Sequence, residues 1–302
     1  MARDKRNKER SNRRRAIIAK VIWALTRRLP LPVASALSAF IGRNFGMRII
    51  RKRNIIRNLN VAFPGLDQAA VDRRVLAIVD NLSRVVAEIS HLGAFARGEE
   101  GTRIDIEGLE YLIPGVPSIF VGAHLSNWEI AGTGLARHLG GLNTIYSPIG
   151  IPEIDKLLVV FRGESGANYL ERNLASIKTV YSGMEAGKGV ALLIDRRIDG
   201  GEPVNFFGRA TATTSLPAKL AIRFNAPIVP VDAKRVTARH FIVTLFPPIM
   251  AKDFPGPERV GAMTQAVMDA IERSIQRSPD TWFCGQTRWK IPKVKKPAME
   301  PA

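Results

Sequence analysis

From residue 103 to residue 277, the sequence alternates between short apolar runs and longer amphipathic segments. The short runs have the length of strands, and the longer segments repeat apolar residues at helical spacing. This alternation predicts an α/β fold in which helices sandwich a mixed, mostly parallel sheet. The predicted strands are 103–107, 118–122, 143–147, 189–195, 227–232 and 240–246. The predicted helices are 128–139, 153–162, 171–187, 214–225 and 257–277.

A further helix is predicted upstream of this alternation. Asp67 is a suitable N-cap, and apolar residues then recur at helical spacing until Gly93 interrupts the pattern. Together these segments predict a single α/β domain over 48–290. The last residues, 291–302, are rich in Lys and Pro and predict a loose C-terminal tail.

The N-terminal part of the chain combines cations with apolar runs. Eight of the first 15 residues are Lys or Arg, which predicts a basic, disordered arm over 1–15. Residues 16–47 are mainly apolar, but no uninterrupted stretch reaches the roughly 18 residues that a spanning helix needs. We interpret 16–47 as helices that lie on a membrane, where flanking cations bind anionic headgroups. A pair of core helices is the alternative interpretation.

Charge and cysteine content limit the partners and the chemistry. The formal net charge of +18 attracts polyanions, such as anionic lipid, nucleic acid or an acidic protein. Because Cys284 is the only cysteine, an internal disulfide is impossible. The four histidines do not have the spacing of metal ligands, so no metal site is predicted.

The segment SIFVGAHLSNWE, at 118–129, carries the strongest chemical signal. His124 follows a predicted buried strand, at the sheet edge where open α/β folds bind ligands. Glu129 comes five residues later, and a carboxylate folded back onto the imidazole would fix its tautomer. The other ring nitrogen could then take a proton from an attacking hydroxyl of the substrate. Ser126 and Glu129 also form an S-x-x-E capping box, so a purely structural role for Glu129 remains open.

Six segments between residues 53 and 290 resemble the late acyltransferases of lipid A biosynthesis, a bacterial branch of the glycerolipid acyltransferase superfamily. They occur in the order typical of that family. The segments are RNIIRNLNVAFPG (53–65), GAHLSNWE (122–129), FRGESG (161–166), GKGVALLIDRRIDGGEPVNFFGRATATT (187–214), LAIRFNAPIVPV (220–231) and IERSIQRSPDTWFCGQTRWK (271–290).

The resemblance implies roles for individual residues. His124 and Glu129 match the catalytic H-x4-D/E pair of the superfamily. Arg162 matches an arginine that binds phosphate or aligns substrate. Asp195 matches an acidic residue of the substrate site, with a strand-end cap or a salt bridge as the structural alternative. Arg196 stands where the family usually has Gln, and its position after a predicted strand would let it reach the same cleft.

The resemblance also implies an activity, namely transfer of a fatty acyl group from acyl-acyl carrier protein to a hydroxyl of a lipid A precursor. The carrier protein would deliver phosphopantetheine, so no bound cofactor is expected. The expected partners are acyl carrier protein, the lipid acceptor and an anionic membrane surface, not nucleic acid. The implied location is the cytoplasmic face of the inner membrane. The alternatives are an acyltransferase for a lysophospholipid or another glycolipid, and a non-enzymatic basic protein that binds membrane or nucleic acid.

Overall fold

A seven-stranded, mostly parallel sheet lies at the centre of the computed structural model, which describes residues 2–46 and 52–290. In chain order the strands are β1 (Arg103–Glu107), β2 (Ile119–Gly122), β3 (Leu142–Tyr146), β4 (Ala167–Glu171), β5 (Val190–Leu193), β6 (Glu202–Phe206), β7 (Arg209–Thr213), β8 (Ile228–Arg235) and β9 (His240–Leu245). The order across the sheet is β1-β9-β8-β2-β5-β3-β4. All neighbouring pairs in it are parallel except β8 and β9, and β6 and β7 form a separate antiparallel hairpin.

Helices cover both faces of the sheet. They are α1 (Ala2–Thr26), α2 (Leu31–Ile41), α3 (Lys52–Ala62), α4 (Gln68–Glu88), α5 (Leu92–Arg97), α6 (Trp128–Leu139), α7 (Pro152–Gly163), α8 (Leu174–Glu185), α9 (Leu216–Phe224) and α10 (Arg259–Arg277). Alternate residues of β2 belong to different cores, because Ile119 and Val121 pack with α4 and α10 and Phe120 packs with α6. A strand buried on both faces is typical of a parallel sheet between two helical layers. The predicted α/β class, with a mostly parallel sheet between helices, is therefore confirmed.

The six predicted strands are present, and the helix predicted after Asp67 begins there. Its carboxylate accepts a hydrogen bond from the backbone N–H of Ala70, at 2.6 Å. Strand β4 and the β6–β7 hairpin were not predicted, because segments such as ANYLE and EPVNF contain few of the β-branched residues that mark a strand. The predicted helix 171–187 accordingly begins later, at Leu174.

The N-terminal region differs from its prediction. The arm predicted to be disordered over 1–15 is helical from Ala2 onward and continues into the apolar segment as one helix, α1. The predicted boundary between 47 and 48 and the predicted tail 291–302 lie outside the described residues. The proposed division of the chain into an arm, a membrane segment, one domain and a tail stays a prediction.

Helices α1 and α2 each have a buried side and an exposed apolar side. On α1, Trp23 is buried, donates its indole N–H to the Val86 carbonyl at 2.7 Å and contacts Phe161 edge-on. Helix α2 is joined to α4 by a hydrogen bond between Ser35 and Glu88. The exposed apolar side chains are Ile17, Ile18, Val21, Ile22 and Leu25 on α1, and Val33, Leu37, Phe40 and Ile41 on α2. Among the described residues, no helix combines the length and apolarity required to cross a membrane.

The outward side of α1 is expected to bind a lipid surface. Ile17, Val21 and Leu25 recur every four residues and are each more than half exposed. Replacing all three with Gln should weaken binding to vesicles of phosphatidylcholine and phosphatidylglycerol at least about 10-fold, because each buried apolar side chain contributes about 1.5–3 kcal/mol. High salt should weaken wild-type binding only in part. Cosedimentation measures both effects.

The matched control is Leu174→Gln, which removes an exposed apolar side chain at the start of α8. It should leave vesicle binding unchanged. A triple α1 variant that binds vesicles as tightly as the wild type would contradict the membrane interpretation.

Candidate active site

The register of two central strands brings His124 and Asp195 together. In the parallel pair β2–β5, Gly122 lies opposite Leu193. His124 and Asp195 each follow two residues later, so both reach the carboxyl edge of the sheet side by side. His124 Nδ1 lies 2.7 Å from Asp195 Oδ1, and the backbone N–H of His124 donates to Oδ2 at 3.1 Å. Both residues are buried.

The carboxylate partner of the imidazole is therefore Asp195, and the predicted contact between His124 and Glu129 is wrong. Glu129 lies in the first turn of α6, and its carboxylate bonds to other side chains. Asp195 had been expected to bind substrate, with a strand-end cap or a salt bridge as the alternative. Its position against the imidazole is a third arrangement, which the sequence did not indicate.

The environment of Asp195 keeps it ionised. Burial opposes ionisation, but the interaction with His124 and the hydrogen bonds from His124 and Trp282 outweigh it and lower the pKa of Asp195 to about 2. The Trp282 indole N–H donates to Oδ2 at 2.9 Å. Because an ionised carboxylate can only accept, His124 Nδ1 carries the proton in this contact. No described residue hydrogen-bonds to Nε2 of His124, which leaves that nitrogen available to a ligand.

Glu129 belongs to a separate buried ion pair, with Arg162. Arg162 donates to its carboxylate through Nε at 3.0 Å and through Nη2 at 2.6 Å. Tyr169 and Trp128 also donate to it, at 3.1 Å and 3.0 Å. Burial opposes the charge of Glu129, but Arg162 and these hydrogen bonds lower the pKa of the carboxyl below its usual value. Arg162 and Glu129 have the bidentate geometry that is typical of strong ion pairs.

Arg162 is therefore less available for substrate than the sequence suggested. Two of its N–H groups bind Glu129, and its guanidinium lies 5.0 Å and 4.9 Å from the ring centres of Tyr146 and Tyr169. The pKa of Arg162 is raised, because the pairing with Glu129 outweighs burial. Tyr169 was missed because its strand, β4, was missed.

The start of α6 uses a different cap from the predicted one. Asn127 is the N-cap, and its Oδ1 accepts from the backbone N–H groups of Glu129 at 3.1 Å and Ile130 at 3.3 Å. Ser126 instead has a positive φ of 47°. The capping-box interpretation of Glu129 is therefore wrong, because the side chain of Glu129 does not return to the cap.

His124 and the Glu129–Arg162 ion pair border one cleft of about 700 Å³. Its lining includes His124, Glu129 and Arg162, together with apolar side chains from α1, α4 and α7. Arg196 also lines it and has no hydrogen-bond or ion-pair partner within the described part of the chain. Burial lowers the pKa of Arg196, and its repulsion from Arg162 adds to this, against the attraction of Asp195. The cleft thus contains an unpaired cation beside an apolar wall.

The C-terminal segment completes this site. Trp282 reaches Asp195, and the backbone N–H of Phe283 donates to the His124 carbonyl at 2.8 Å. The sequence included both residues in the last family-like segment but gave no sign of these contacts. Within residues 2–46 and 52–290, no three His, Cys, Asp or Glu side chains are grouped so that they could hold a metal ion.

Comparison with known proteins gives one family match over almost the whole chain. Residues 4–291 match the model of the bacterial lipid A biosynthesis acyltransferases. Two curated relatives are named phosphatidylinositol mannoside acyltransferase. The one from Mycolicibacterium smegmatis is 24% identical over 279 residues, which cover 88% of each chain. The one from Mycobacterium tuberculosis is 25% identical over 282 residues, which cover 88% of this chain and 86% of the relative.

Among solved structures, the 1-acyl-sn-glycerophosphate acyltransferase PlsC of Thermotoga maritima aligns with 82% of this chain and 97% of its own, at 12% identity and a TM-score of 0.39.

The buried pair of Glu129 and Arg162 is expected to be strongly coupled. Glu129→Gln should lower the free energy of unfolding by about 3–5 kcal/mol, because it leaves a buried guanidinium without its counter-charge. Arg162→Gln should have a comparable effect, and the double variant should lose less than the sum of the two. Chemical denaturation of the four proteins measures the coupling. Glu99→Gln, which removes an exposed ion pair with Arg97, is the control and should change stability little. Additive losses would contradict the pairing.

Proposed function

Because the chain belongs to the family of bacterial lipid A biosynthesis acyltransferases, we propose that it moves a fatty acyl group from a thioester to a hydroxyl of a lipid acceptor. The observation that carries this proposal is the hydrogen bond between His124 and Asp195 at the edge of the cleft. An oriented imidazole with one ring nitrogen available is suited to removing a proton from an alcohol.

His124 is the general base in this scheme. Its Nδ1–H is held by Asp195, so Nε2 has the lone pair that accepts the proton of the acceptor hydroxyl. The ionised Asp195 then stabilises the imidazolium that forms. The acceptor oxygen bonds to the thioester carbonyl carbon, and the carbon–sulfur bond breaks. The departing thiolate takes the proton back from His124 Nε2, so the enzyme returns to its starting state.

In this scheme Arg196 binds the negatively charged group of the substrate. Arg162 is already paired with Glu129, and two backbone N–H groups at the start of α6 are occupied by Asn127. Of the arginines that line the cleft, Arg196 and Arg172 have side chains that meet no acceptor among the described residues, and Arg196 directly follows Asp195, the partner of His124. A partly buried guanidinium without a counter-charge is costly, and a phosphate group of the substrate would compensate it.

The apolar wall of the cleft fits a fatty chain. Leu82, Val85 and Val86 of α4 contribute to it, with Ile89 just after that helix, Leu158 from α7 and Trp23 from α1. Burial of methylene groups against such side chains is worth about 0.8 kcal/mol per CH₂. A phosphate-bearing, acylated glycolipid would satisfy both the apolar wall and the arginine.

Two acceptors of this kind are proposed. The family match favours a lipid A precursor, and the mycobacterial relatives, by their names, favour a phosphatidylinositol mannoside. The proposed donor is acyl-acyl carrier protein, an acidic partner suited to a chain with a net charge of +18. We propose that the enzyme works on the cytoplasmic face of the inner membrane, with the exposed apolar sides of α1 and α2 in contact with lipid.

The assay combines purified enzyme with matched acyl donors and candidate acceptors. The donors are an acyl-acyl carrier protein and the corresponding acyl-coenzyme A, and the acceptors are a lipid A precursor, a phosphatidylinositol mannoside and a lysophosphatidic acid. Mass spectrometry should detect one acceptor gaining one acyl group. His124→Ala and Asp195→Asn should lower kcat by about 10²–10⁴-fold, as expected for loss of general-base catalysis.

Melting temperatures of the same preparations are the control for misfolding. Folded Asp195→Asn with wild-type kcat would refute the role of this pair. Absence of acyl transfer to every acceptor would refute the proposed function itself.

Arg196 is expected to act on substrate binding. Arg196→Gln should lower kcat/KM for a phosphate-bearing acceptor about 10- to 100-fold, as for the loss of a charge-assisted hydrogen bond of about 1.5–3 kcal/mol. Arg196→Lys should retain part of the activity, since it keeps the positive charge but loses the planar guanidinium that can bind a phosphate through two hydrogen bonds. Arg273→Gln removes an exposed cation of α10 and serves as the matched control. Unchanged steady-state kinetics of Arg196→Gln would remove this residue from the site.

A further inference from the structure

The loop that carries His124 has an unfavourable backbone. Ser126 has a φ of 47°, in the left-handed region that few residues other than Gly adopt without cost. Just before it, the backbone N–H of Leu125 donates to the Ala123 carbonyl at 2.7 Å, which closes a tight turn. Such conformations persist only when the surrounding structure holds them. The loop therefore needs restraints from outside.

A buried carboxylate supplies one restraint. Glu88, the last residue of α4, is fully buried and does not line the cleft. Its Oε2 accepts a hydrogen bond from Asn127 Nδ2 at 2.8 Å. Its Oε1 accepts from Ser35 of α2 at 2.7 Å and forms an ion pair with Arg235 at the end of β8. One carboxylate thus joins α2, α4, β8 and the His124 loop.

This contact fixes the orientation of the Asn127 amide. With Nδ2 directed at Glu88, Oδ1 is directed at the first turn of α6, where it accepts from Glu129 and Ile130. Turning the amide over would place two donors against the helix N–H groups and remove the cap. The start of α6, and with it the position of Glu129, depends on the charge behind Asn127.

A second restraint comes from the same ion pair. Arg235 Nη2 donates to Asn81 Oδ1 at 3.2 Å, and Asn81 Nδ2 donates to the Ser126 carbonyl at 2.8 Å. Ser126, the strained residue, is therefore linked through Asn81 to the same Glu88–Arg235 ion pair that orients Asn127. Glu88 contacts Asn127 directly and reaches Ser126 through Arg235 and Asn81, so it restrains two of the three residues between His124 and α6.

We propose that Glu88 is a positioning residue for acyl transfer, which holds the loop between His124 and Glu129 in its reactive geometry through Asn127. The proposal rests on the proposed function, because its readout is turnover. Glu88 does not contact the cleft, so its loss should lower kcat and leave the KM of donor and acceptor nearly unchanged. Misplacement of a reacting group by about 1 Å can cost on the order of 100-fold in rate.

The test reverses one hydrogen bond with two substitutions that together leave the net charge the same. In Glu88→Gln, the new amide N–H₂ must face either Asn127 Nδ2 or Arg235, both of which are donors. Asn127→Asp retains an acceptor for the cap but places a carboxylate against Glu88. Each single variant should lose about 10- to 100-fold in kcat, measured well below its melting temperature.

The double variant Glu88→Gln/Asn127→Asp restores the contact with donor and acceptor exchanged. The amide nitrogen introduced at position 88 can donate to the carboxylate introduced at position 127. The amide oxygen at position 88 can still accept from Ser35 and Arg235, and the second carboxylate oxygen at position 127 can cap α6. We expect kcat to recover to within a few-fold of the wild type. The double variant also covers the case in which a single variant fails to fold.

Ser35→Ala is the matched control, because it removes a hydrogen bond to the same carboxylate on the side away from the loop. It should lower the melting temperature and leave kcat unchanged. Folded single variants with wild-type kcat, or a folded double variant no better than the singles, would overturn the proposal. A wild-type enzyme without acyl transfer would refute the proposed function instead, so the two failures are distinguishable.

Discussion

The parallel pairing of β2 with β5 is the constraint on which the candidate site depends. A shift of one residue in this register would move His124 and Asp195 apart and direct their side chains to opposite faces. The register is fixed because β2 is buried on both faces, and because Val190 and Leu192 of β5 pack in the same core as Ile119 and Val121 of β2. Hydrophobic packing in the middle of the sheet therefore determines a hydrogen bond at its edge. The proposed acid–base chemistry therefore depends on the packing of the core.

Three buried carboxylates surround the His124 loop, and each is compensated in a different way. Asp195 bonds to the His124 imidazole and the Trp282 indole, and Glu129 forms a bidentate ion pair with Arg162. Glu88 pairs with Arg235 and accepts hydrogen bonds from the Ser35 hydroxyl and the Asn127 amide. Buried charges of this kind contribute little net stability, but loss of one partner is costly. Such pairs can hold a single arrangement of the loop at the expense of tolerance to substitution.

Local sequence patterns predicted the layers of the fold, whereas the contacts of the site depend on distant residues. Short apolar runs were sufficient to locate the central strands, and the polar edge strand β4 lacked that signal. His124 and Asp195 are 71 residues apart, so their contact is set by strand order, which no local pattern contains. Glu129 was near His124 in sequence, but the helix that begins at Trp128 turns its carboxylate toward Arg162, 33 residues further on. The family resemblance indicated residues that the structure brings together at this edge of the sheet, without indicating their partners.

The position of Trp282 and Phe283 has a consequence for how the protein is made. The imidazole and its carboxylate lie in the middle of the chain, but the indole that holds Asp195 and the amide that holds the His124 carbonyl come from the last tenth of the sequence. Synthesis proceeds from the N-terminus, and early segments begin to fold before later ones emerge. The helices with exposed apolar sides are therefore made before His124 and Asp195, and the site acquires the support of Trp282 and Phe283 only after both. Under the proposed function, a nascent chain would present its lipid-facing helices well before its reaction centre is complete.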